Sequence, residues 1–265
     1  MTLEEKFNEY RERVNYKLNK DLPLICMIDG RSFSKRIKKK FKRPFDDFFI
    51  DLMNKTAEYT SKEIQCCKFA YVQSDEISFF IDSRNEINQP FFEYRLCKLN
   101  SLISSIATGF FNLEMIKHNL SICECASFRD IIEGVNDLFS KYKPFQFDCK
   151  AFNVDNDNDV YAWFLYRQLD CIKNSKQQAA QTYISHNDLL NLNSDEQIEL
   201  LKSKYNIDWN DYDAGKKFGR FIWKEEEMHH SEEYGDYLRS VWKSHDGWEL
   251  NTEHGKEKFI NQLNI

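Results

Sequence analysis

The sequence predicts an α+β fold with a mixed domain over residues 1–152 and a helical extension over residues 153–265. The run Leu22–Ile28 is apolar without interruption, which is typical of a strand buried on both faces. Two further apolar runs, Lys68–Val72 and Ile77–Asp82, flank a tight polar turn and indicate a hairpin. Segments with helical periodicity separate these strands, and a fourth strand follows, so the order is β-α-β-β-α-β, the ferredoxin-like pattern.

Helical periodicity and capping residues predict the individual elements. Ser194 is expected to be the N-cap of the last predicted helix, because Gln197 follows three residues later. The predicted helices cover Leu3–Asn19, Asp46 or Asp47 through Tyr59, Phe91–Met115, Phe128–Tyr142, Asp155–Ser185 and Ser194–Lys204. The other elements are a short basic segment Ser32–Arg43 that ends at Pro44, a strand Phe145–Phe152, a turn Trp209–Asp213 and a short strand Phe218–Trp223.

Composition limits the class of protein. A chain of 265 residues with 42% hydrophobic content can bury a large core. We expect no membrane span, since no apolar run reaches about 18 residues. The acidic, helix-like start fits neither a signal peptide nor a transit peptide, so we expect a cytoplasmic protein, with the mitochondrial matrix as the alternative. Eight cysteines without a Cys-x-x-Cys pair indicate reduced thiols rather than disulfides or a zinc site.

Charge is distributed unevenly along the chain. The formal net charge is −6, which argues against wholesale nucleic-acid binding. Seven of the nine residues in Lys35–Arg43 are nevertheless cationic, and this run closely follows Asp29-Gly30-Arg31. Such a run is commonly a solvated helix face, but beside a metal site an anionic ligand is about equally favoured.

The predicted topology brings two acids together. A right-handed crossover leaves a gap between the first two strands, and the third strand fills it antiparallel to both. Asp29 ends the first strand, and Asp75 lies in the turn between the second and third strands. The two carboxylates are therefore expected to be neighbours.

Neighbouring carboxylates suggest a site for hard cations and phosphates. They repel each other unless a proton or a cation lies between them, and Mg²⁺ prefers such oxygen ligands. Gly30 allows close backbone approach, so its carbonyl is a further candidate ligand. Two metal ions would suit in-line displacement at phosphorus. Alternatively, Asp29 caps the next helix and Asp75 serves only the turn.

A series of short motifs runs through the chain in a fixed order. They are Asp29-Gly30-Arg31-Ser32-Phe33, Lys42-Arg43-Pro44 with Asp46, Gln73-Ser74-Asp75-Glu76-Ile77-Ser78, Arg95-x-x-Lys98, Phe147-Asp148-Cys149-Lys150, Tyr166-Arg167-Gln168-Leu169-Asp170 with Asn174-Ser175, Ala180-Gln181, Ser185-His186 and Ile207-Asp208-Trp209-Asn210-Asp211. Each motif is weak alone. Together, over roughly residues 5 to 225, they resemble the transfer-RNA histidine guanylyltransferase family, and in particular its Thg1-like 3′–5′ polymerase branch.

The resemblance implies a palm domain like that of conventional polymerases and growth of an RNA chain at its 5′ end. The 5′-monophosphate of a tRNA would first be activated by a nucleoside triphosphate, typically ATP, which leaves an adenylylated end. The 3′-hydroxyl of an incoming nucleotide, GTP or another NTP, would then attack the activated phosphate. The resemblance also implies two Mg²⁺ ions and a homotetramer.

Roles for individual residues follow from the same resemblance. Asp29, the Gly30 carbonyl and Asp75 would hold the two Mg²⁺ ions, and Glu76 would adjoin them as a third acid that tunes the catalytic site. Arg43 stands where the family has a cation before proline, and its guanidinium would grip triphosphate oxygens in a fork. The residues expected at the nucleotide are Arg31, Ser32, Phe33, Ser34, Arg43, Asp46, Ser74, Arg95 and Lys98. Those expected at the RNA are Lys35, Arg36, Lys38, Lys39, Lys173 and Asn174.

Some of these positions have a structural alternative. Arg95 and Lys98 lie three residues apart and can reach one triphosphate, but apart from the resemblance they are more typical of a solvated helix edge. Arg167 and Asp170 are also three apart and can simply pair with each other. A substrate role and a scaffold role therefore stay open for them and for Gln168.

Two departures from the family favour the polymerase-like branch. Members specific for histidine tRNA typically carry histidine where Ser34 and Ile172 stand here. We therefore expect Mg²⁺-dependent, template-directed repair of tRNA 5′ ends. One alternative is a strict guanylyltransferase that adds a single G to histidine tRNA. A non-catalytic RNA-binding relative is less favoured, because Asp29 and Asp75 are both present.

Overall fold

A computed structural model of the chain shows an antiparallel sheet with helices on both faces. The helix predicted over Phe128–Tyr142 lies almost entirely outside the described residues, as do the side chains of Ser34 and Lys38. The described residues are 1–84, 89–121, 140–231 and 235–265.

The helices and strands are numbered here in chain order. The strands are β1 (Leu24–Gly30), β2 (Cys67–Gln73), β3 (Glu76–Ile81), β4 (Phe147–Asn153), β5 (Arg220–Ser231) and β6 (Gly235–Asp246). The α-helices are α1 (Leu3–Glu12), α2 (Phe33–Lys40), α3 (Asp47–Glu63), α4 (Leu96–Ser121), α5 (Asp157–Tyr183), α6 (Ser194–Tyr205), α7 (Ala214–Phe218) and α8 (Glu253–Leu263).

The strand order is β4-β1-β3-β2-β5-β6, and every neighbouring pair is antiparallel. The strand β3 fills the gap between β1 and β2, as the right-handed crossover requires. The first four strands therefore form the ferredoxin-like arrangement, and the predicted α+β fold is confirmed.

Both faces of the sheet are covered, as the unbroken apolar run in β1 indicates. Leu24, Cys26 and Ile28 are buried in a cluster with α3 and α4 on one face. Ile25 is buried in a cluster with α5 and α8 on the other face. Burying one such aliphatic side chain contributes about 1.5–3 kcal/mol, so β1 holds the residues at its end firmly in place.

The sequence prediction misses the long hairpin of β5 and β6. It assigns only Phe218–Trp223 to a strand and the rest of residues 153–265 to helices and turns. In the structure, β5 pairs with β2 over three residue pairs and continues with β6 out to Ser231 and Gly235. Beyond the predicted segment the strand is rich in charged residues, so it lacks the apolar alternation that marks a core-facing strand. The C-terminal extension is therefore part helical and part sheet.

Several helix ends differ from the prediction, and α4, for example, spans Leu96–Ser121 rather than Phe91–Met115. The helix α1 ends at Glu12 rather than Asn19. The N-cap of α6 is Asn193 rather than Ser194, because the Asn193 side chain accepts from backbone N–H groups of the first turn and Glu196 accepts from the N–H of Asn193. The six cysteines within the described ranges are free thiols, in line with the prediction. No helix in those ranges combines the length and apolar character needed to cross a membrane.

Candidate active site

The two acids meet where the end of β1 lies beside the β2–β3 turn. Asp29 is opposite Glu76 in the register of β1 and β3, and the turn consists of Ser74 and Asp75. The backbone N–H of Gly30 donates to the carbonyl oxygen of Asp75 at 3.1 Å, which ties the strand to the turn. The neighbouring positions predicted from topology are therefore confirmed.

The surroundings of both carboxyl groups disfavour their charged form. Burial, and then the nearby charge of Asp29, raise the pKa of Asp75 to about 6. Burial also raises the pKa of Asp29, and the charges of Glu76 and Asp148 add to this effect. A bound cation would relieve the repulsion between these acids.

The donor set fits Mg²⁺. Within the described ranges, no three carboxylate, histidine or cysteine side chains form a closed metal cage. Mg²⁺ does not need one, because it commonly binds one or two carboxylates and keeps waters and substrate phosphates as its other ligands. The groups that would hold it are the Asp29 and Asp75 carboxylates and the Gly30 carbonyl.

Gly30 has a packing role that the sequence does not reveal. A Cβ at this position would lie 2.5 Å from the ring of Phe33. That ring is fully buried and packs against Phe111, Phe145 and Phe147, so it cannot move aside. Only glycine lets the chain pass from β1 into α2 this close to the core.

We expect Gly30→Ala to disturb both the core and the carboxylate pair. The added methyl group overlaps the Phe33 ring, and overpacking of this kind costs about 1–3 kcal/mol. Because the Gly30 N–H also holds the Asp75 turn, any activity that depends on the carboxylate pair should fall further than the loss of folded protein explains. Chemical denaturation and an activity assay together check this expectation.

Gly109→Ala is the matched control for that substitution. Gly109 lies inside α4, and no atom lies within 4 Å of the Cβ that it would gain. Replacing glycine inside a helix by alanine should stabilise by up to about 1 kcal/mol. Equal stability and activity in the Gly30→Ala and Gly109→Ala proteins would contradict the packing role of Gly30.

The acids lie along a cavity of about 400 Å³ at this end of the sheet. The facing walls come from the segment before α3, the start of α3, the middle of α5, the helix α7 and the start of β5. They include apolar groups such as Phe41 and Pro44 and the cations Lys42, Lys216 and Arg220. A cavity of this size, with mixed apolar and charged walls, is typical of a small-molecule site.

Glu76 is part of a buried ion pair. Its two carboxylate oxygens accept from the Arg167 guanidinium at 2.7 and 2.6 Å, and Gln73 Nε2 donates to one of them at 3.1 Å. The guanidinium also donates to Asp170 at 3.1 Å. Both Glu76 oxygens therefore already have partners, and the role predicted for Glu76 beside the metal ligands stays a prediction. The contacts of Arg167 and Asp170 are those of the scaffold alternative.

Gln168 is a structural residue as well. Its side chain is fully buried and donates to the carbonyl oxygens of Phe218 and Trp248. Its own carbonyl oxygen accepts from the N–H of Leu250 at 2.6 Å. Gln168 thus joins the middle of α5 to the segments on either side of the hairpin.

Two of the predicted nucleotide-binding residues line the cavity, and both also shape it. Asp46 accepts from the backbone N–H groups of Lys42 at 2.7 Å and Phe49 at 2.8 Å. It is therefore the N-cap of α3, one of the two capping residues proposed from the sequence. Ser74 donates to the Asp75 carboxylate at 3.0 Å.

Four other predicted residues, Arg31, Ser32, Phe33 and Arg43, do not line the cavity. The Phe33 side chain is in the core, so its predicted contact with a nucleotide is wrong for the ring. Arg31 is exposed and donates to Gln146 at 3.3 Å. Ser32 is exposed and precedes α2. Arg43 does not line the cavity, although its neighbours in the chain do.

Arg95 and Lys98 lie towards the opposite end of the sheet. Thr108 Oγ1 accepts from the backbone N–H of Phe147, and Phe147 pairs with Gly30, so Thr108 marks the level of the acids on α4. Arg95 precedes Thr108 by a helical stretch that rises about 20 Å at 1.5 Å per residue. A single chain does not bring these two cations to the carboxylate pair, and their contact with a triphosphate stays a prediction.

The predicted RNA-binding residues divide into three groups. Arg36 donates to the carbonyl oxygens before β4 and lies 3.5 Å from the Phe145 ring, so it anchors α2 rather than facing solvent freely. Asn174 lines the cavity and donates to Asp170 at 3.2 Å. The remaining described members, Lys35, Lys39 and Lys173, are exposed.

No sequence motif indicates that Lys216 and Arg220 line the cavity. Arg220 is only 6% exposed, and it donates to Asn54 at 3.0 Å and to the Gly215 carbonyl. Burial lowers the pKa of its guanidinium. The Arg220 side chain reaches the cavity because Arg220 pairs with Val72 of β2, and no local sequence motif indicates that pairing.

We expect Mg²⁺ to raise the melting temperature strongly above about pH 7 and weakly below about pH 5. Below the raised pKa of Asp75, about 6, the carboxyl group is neutral and a proton competes with the cation. The metal-free protein should show the opposite trend and lose stability as the pH rises through about 6, because the folded state must then carry the charge. Thermal melts with and without MgCl₂ check both trends, and an Mg²⁺ shift independent of pH would contradict them.

The fold and the cavity define a class of protein. The sheet is palm-like, and its paired acids lie at strand ends across a cavity from a set of cations. This arrangement is typical of a nucleotidyltransferase. Residues 4–155 match the Thg1 family, tRNAHis guanylyltransferase. The chain belongs to this family.

Individual relatives agree with this assignment. A probable tRNA(His) guanylyltransferase of Dictyostelium discoideum is 28% identical over 223 residues, which cover 80% of this chain and 79% of the relative. A bacterial tRNA(His) guanylyltransferase (Thg1)-like protein in complex with ATP is similar over 99% of both chains, with a TM-score of 0.79 and 26% identity. A bacterial Thg1-like protein in complex with GTP gives a TM-score of 0.73 and 25% identity, again over 99% of both chains.

Proposed function

We propose that this chain is an Mg²⁺-dependent 3′–5′ nucleotidyltransferase that adds nucleotides to the 5′ end of tRNA, directed by a template base. The observation that carries the proposal is the Asp29–Asp75 pair, whose mutual repulsion a cation would relieve. The ATP and GTP complexes of the similar bacterial proteins support nucleoside triphosphates as the substrates.

The proposed reaction has two displacements at phosphorus. In the first, an oxygen of the RNA 5′-monophosphate attacks the α-phosphate of ATP, and pyrophosphate leaves. In the second, the 3′-hydroxyl of the incoming nucleotide attacks the 5′-phosphate of the adenylylated end, and AMP leaves. Mg²⁺ held by Asp29 and Asp75 would neutralise negative charge on the reacting phosphate groups.

Residues of the chain fix the geometry of these steps. Asp29 and Asp75 hold their carboxylates at two strand ends, and the Glu76–Arg167 pair keeps the neighbouring charge in place. Arg220 presents a cation from the facing wall, where phosphate oxygens of a nucleotide would lie. The apolar part of that wall offers a surface for a base.

Repair of truncated tRNAs is proposed over addition of a single G because of two positions. Ser34 and Ile172 stand where members specific for histidine tRNA typically carry histidine. Ile172 packs in a hydrophobic cluster with Leu201 and Trp209 and does not line the cavity. The names of the curated relatives favour strict guanylyltransferase activity, which is the second candidate.

A panel of 5′-truncated tRNAs, each incubated with one NTP at a time, separates the two candidates. Templated addition of the complementary nucleotide to several non-histidine tRNAs is the expected result. Addition of G alone, confined to histidine tRNA, would replace the proposal by the second candidate. No addition to any tRNA would contradict both.

A further inference from the structure

A second basic surface lies between α3 and the β5–β6 hairpin. Lys55 and Lys62 on α3, Lys224 on β5 and Arg239 on β6 surround a groove of about 460 Å³. Glu58 is the only acid among the described residues that line it. The chain as a whole carries a net charge of −6, so the groove is positively charged on a protein that is negative overall.

Aromatic rings lie among these cations. Tyr59 and Phe110 stack nearly parallel, with ring centroids 4.4 Å apart, and Tyr59 is 41% exposed. The ammonium group of Lys224 lies 5.3 Å from the centroid of the Trp242 ring. Cations that contact phosphates, interleaved with ring faces on which bases stack, are the elements of a single-stranded nucleic-acid site.

The cations of the groove are available to an anionic ligand. Lys55 pairs with Asp51 at 2.7 Å, but both side chains are about half exposed, and such pairs contribute little. Within the described part of the chain, Lys62, Lys224 and Arg239 form no salt bridge. Glu58 accepts from the backbone N–H of Ser244 at 2.9 Å, so its carboxylate already has a partner from the hairpin.

The groove lies at a distance from the cavity that only a long ligand can span. Asp46 caps α3 at the cavity, and Lys55 and Lys62 lie about 14 and 24 Å further along the helix, at 1.5 Å per residue. A nucleoside triphosphate bound in the cavity does not extend as far as Lys62. An RNA whose 5′ end enters the cavity extends well beyond this distance.

We propose that this α3–hairpin groove is a second RNA-binding site, which holds an unpaired segment of the RNA substrate by phosphate contacts and base stacking. The proposal rests on the proposed function for the identity of the substrate as tRNA. An acidic segment of a second copy of this chain is less favoured as the ligand of the groove. The acidic run Glu225–Glu227 is partly neutralised within its own hairpin, because Glu225 and Glu227 both pair with Lys243.

The test compares two charge-reversal variants of the full-length protein. Lys62→Glu/Lys224→Glu alters the groove. Lys256→Glu/Lys258→Glu is the matched control, since it changes the net charge equally on α8, and Lys258 also lies over a tryptophan, Trp248, at 3.9 Å. The helix α8 packs on the other face of the sheet from α3.

The groove variant should bind tRNA at least about tenfold more weakly than the wild-type protein at physiological salt. The slope of log K against log salt should become shallower by about 1.4–1.8, which corresponds to two lost phosphate contacts. The control should bind within about threefold of the wild-type protein. The KM for NTP and the adenylylation of a short 5′-phosphorylated oligonucleotide should be unchanged in both variants, because the cavity is intact.

Thermal melts establish that each variant is folded, and Lys62→Gln/Lys224→Gln replaces the groove variant if charge reversal unfolds it. Equal tRNA affinity of the groove and control variants, with active wild-type enzyme, would overturn the groove proposal alone. So would a loss of affinity that is fully explained by dissociation of an oligomer in sedimentation, because the groove would then hold a second copy. Wild-type enzyme without nucleotide addition to any tRNA would instead contradict the proposed function.

Discussion

Replacing Asp75 by asparagine should strongly slow nucleotide addition and at the same time make the metal-free protein more stable. The pKa of Asp75 is raised to about 6 from an ordinary 3.8. This difference corresponds to roughly 3 kcal/mol in full, and to about 1–2 kcal/mol once screening by solvent is allowed for. Asparagine removes that cost at neutral pH, since it keeps the shape of the side chain without its charge. The same change removes a candidate Mg²⁺ ligand, so the rate should fall by about 10²–10³.

Asp148→Asn is the matched control for this prediction. Asp148 lies opposite Asp29 in the register of β1 and β4, but it is exposed and does not line the cavity. Its replacement should change the rate by no more than a few fold and leave the melting temperature within about 1 °C. Rates of addition and thermal melts in EDTA measure both effects. An Asp75→Asn protein that is active, or that is less stable than the wild-type protein, would contradict the electrostatic description of the pair.

Removing the Arg167 guanidinium should destabilise the protein by about 3–5 kcal/mol. The Arg167→Met variant leaves the Glu76 carboxylate, which is 9% exposed, without its partner in the interior. Adding Glu76→Gln removes the buried charge and preserves the contact with Gln73, so the double variant should recover most of the lost stability. Lys202→Met, which breaks an exposed pair with Asp208, should cost less than about 1 kcal/mol.

A double-mutant cycle in urea measures the coupling between Glu76 and Arg167, and it should exceed about 2 kcal/mol. Activity distinguishes a scaffold from a substrate contact. A scaffold role predicts that the double variant regains activity together with stability. If stability returns while activity stays lost, Arg167 touches the substrate and its assignment as a scaffold residue is wrong.

The parts of the fold that the sequence predicts are those with strong local signals and few topological choices. The strand β1 is a continuous apolar run, and the β2–β3 hairpin has a short polar turn between two apolar runs. Right-handed crossovers then allow one order for the first four strands. The neighbouring positions of Asp29 and Asp75 follow from that order before any side-chain contact is known.

The features that the sequence does not predict depend on contacts between distant parts of the chain. Arg167 meets Glu76 across 91 positions, and no local pattern connects them. Arg220 reaches the cavity only because β5 pairs with β2. Phe33 ends the Asp29–Phe33 motif and Arg36 lies in the basic run that follows it, but the Phe33 ring is buried in the core and the Arg36 guanidinium packs over the Phe145 ring.

A sequence motif also does not show how far a helical residue lies from the site along the helix axis. Arg95 and Lys98 have the spacing of a phosphate-binding pair, yet α4 runs from the opposite end of the sheet before it reaches the level of the acids. The hairpin of β5 and β6 escapes prediction for a related reason. Beyond Trp223 its strands are held mainly by pairing with each other rather than by an apolar face, so periodicity carries no signal there.

Transfer of AMP from labelled ATP to the 5′-monophosphate of a tRNA tests most directly whether Asp29 and Asp75 form the reaction centre. The assay compares the wild-type and Asp29→Asn proteins, with MgCl₂ and with EDTA. We expect adenylylated tRNA from the wild-type protein with Mg²⁺ only, and a rate at least about a hundredfold lower from Asp29→Asn. An undiminished rate in the Asp29→Asn protein, or adenylylation by the wild-type protein in EDTA, would contradict the role of the two acids as a metal-dependent centre.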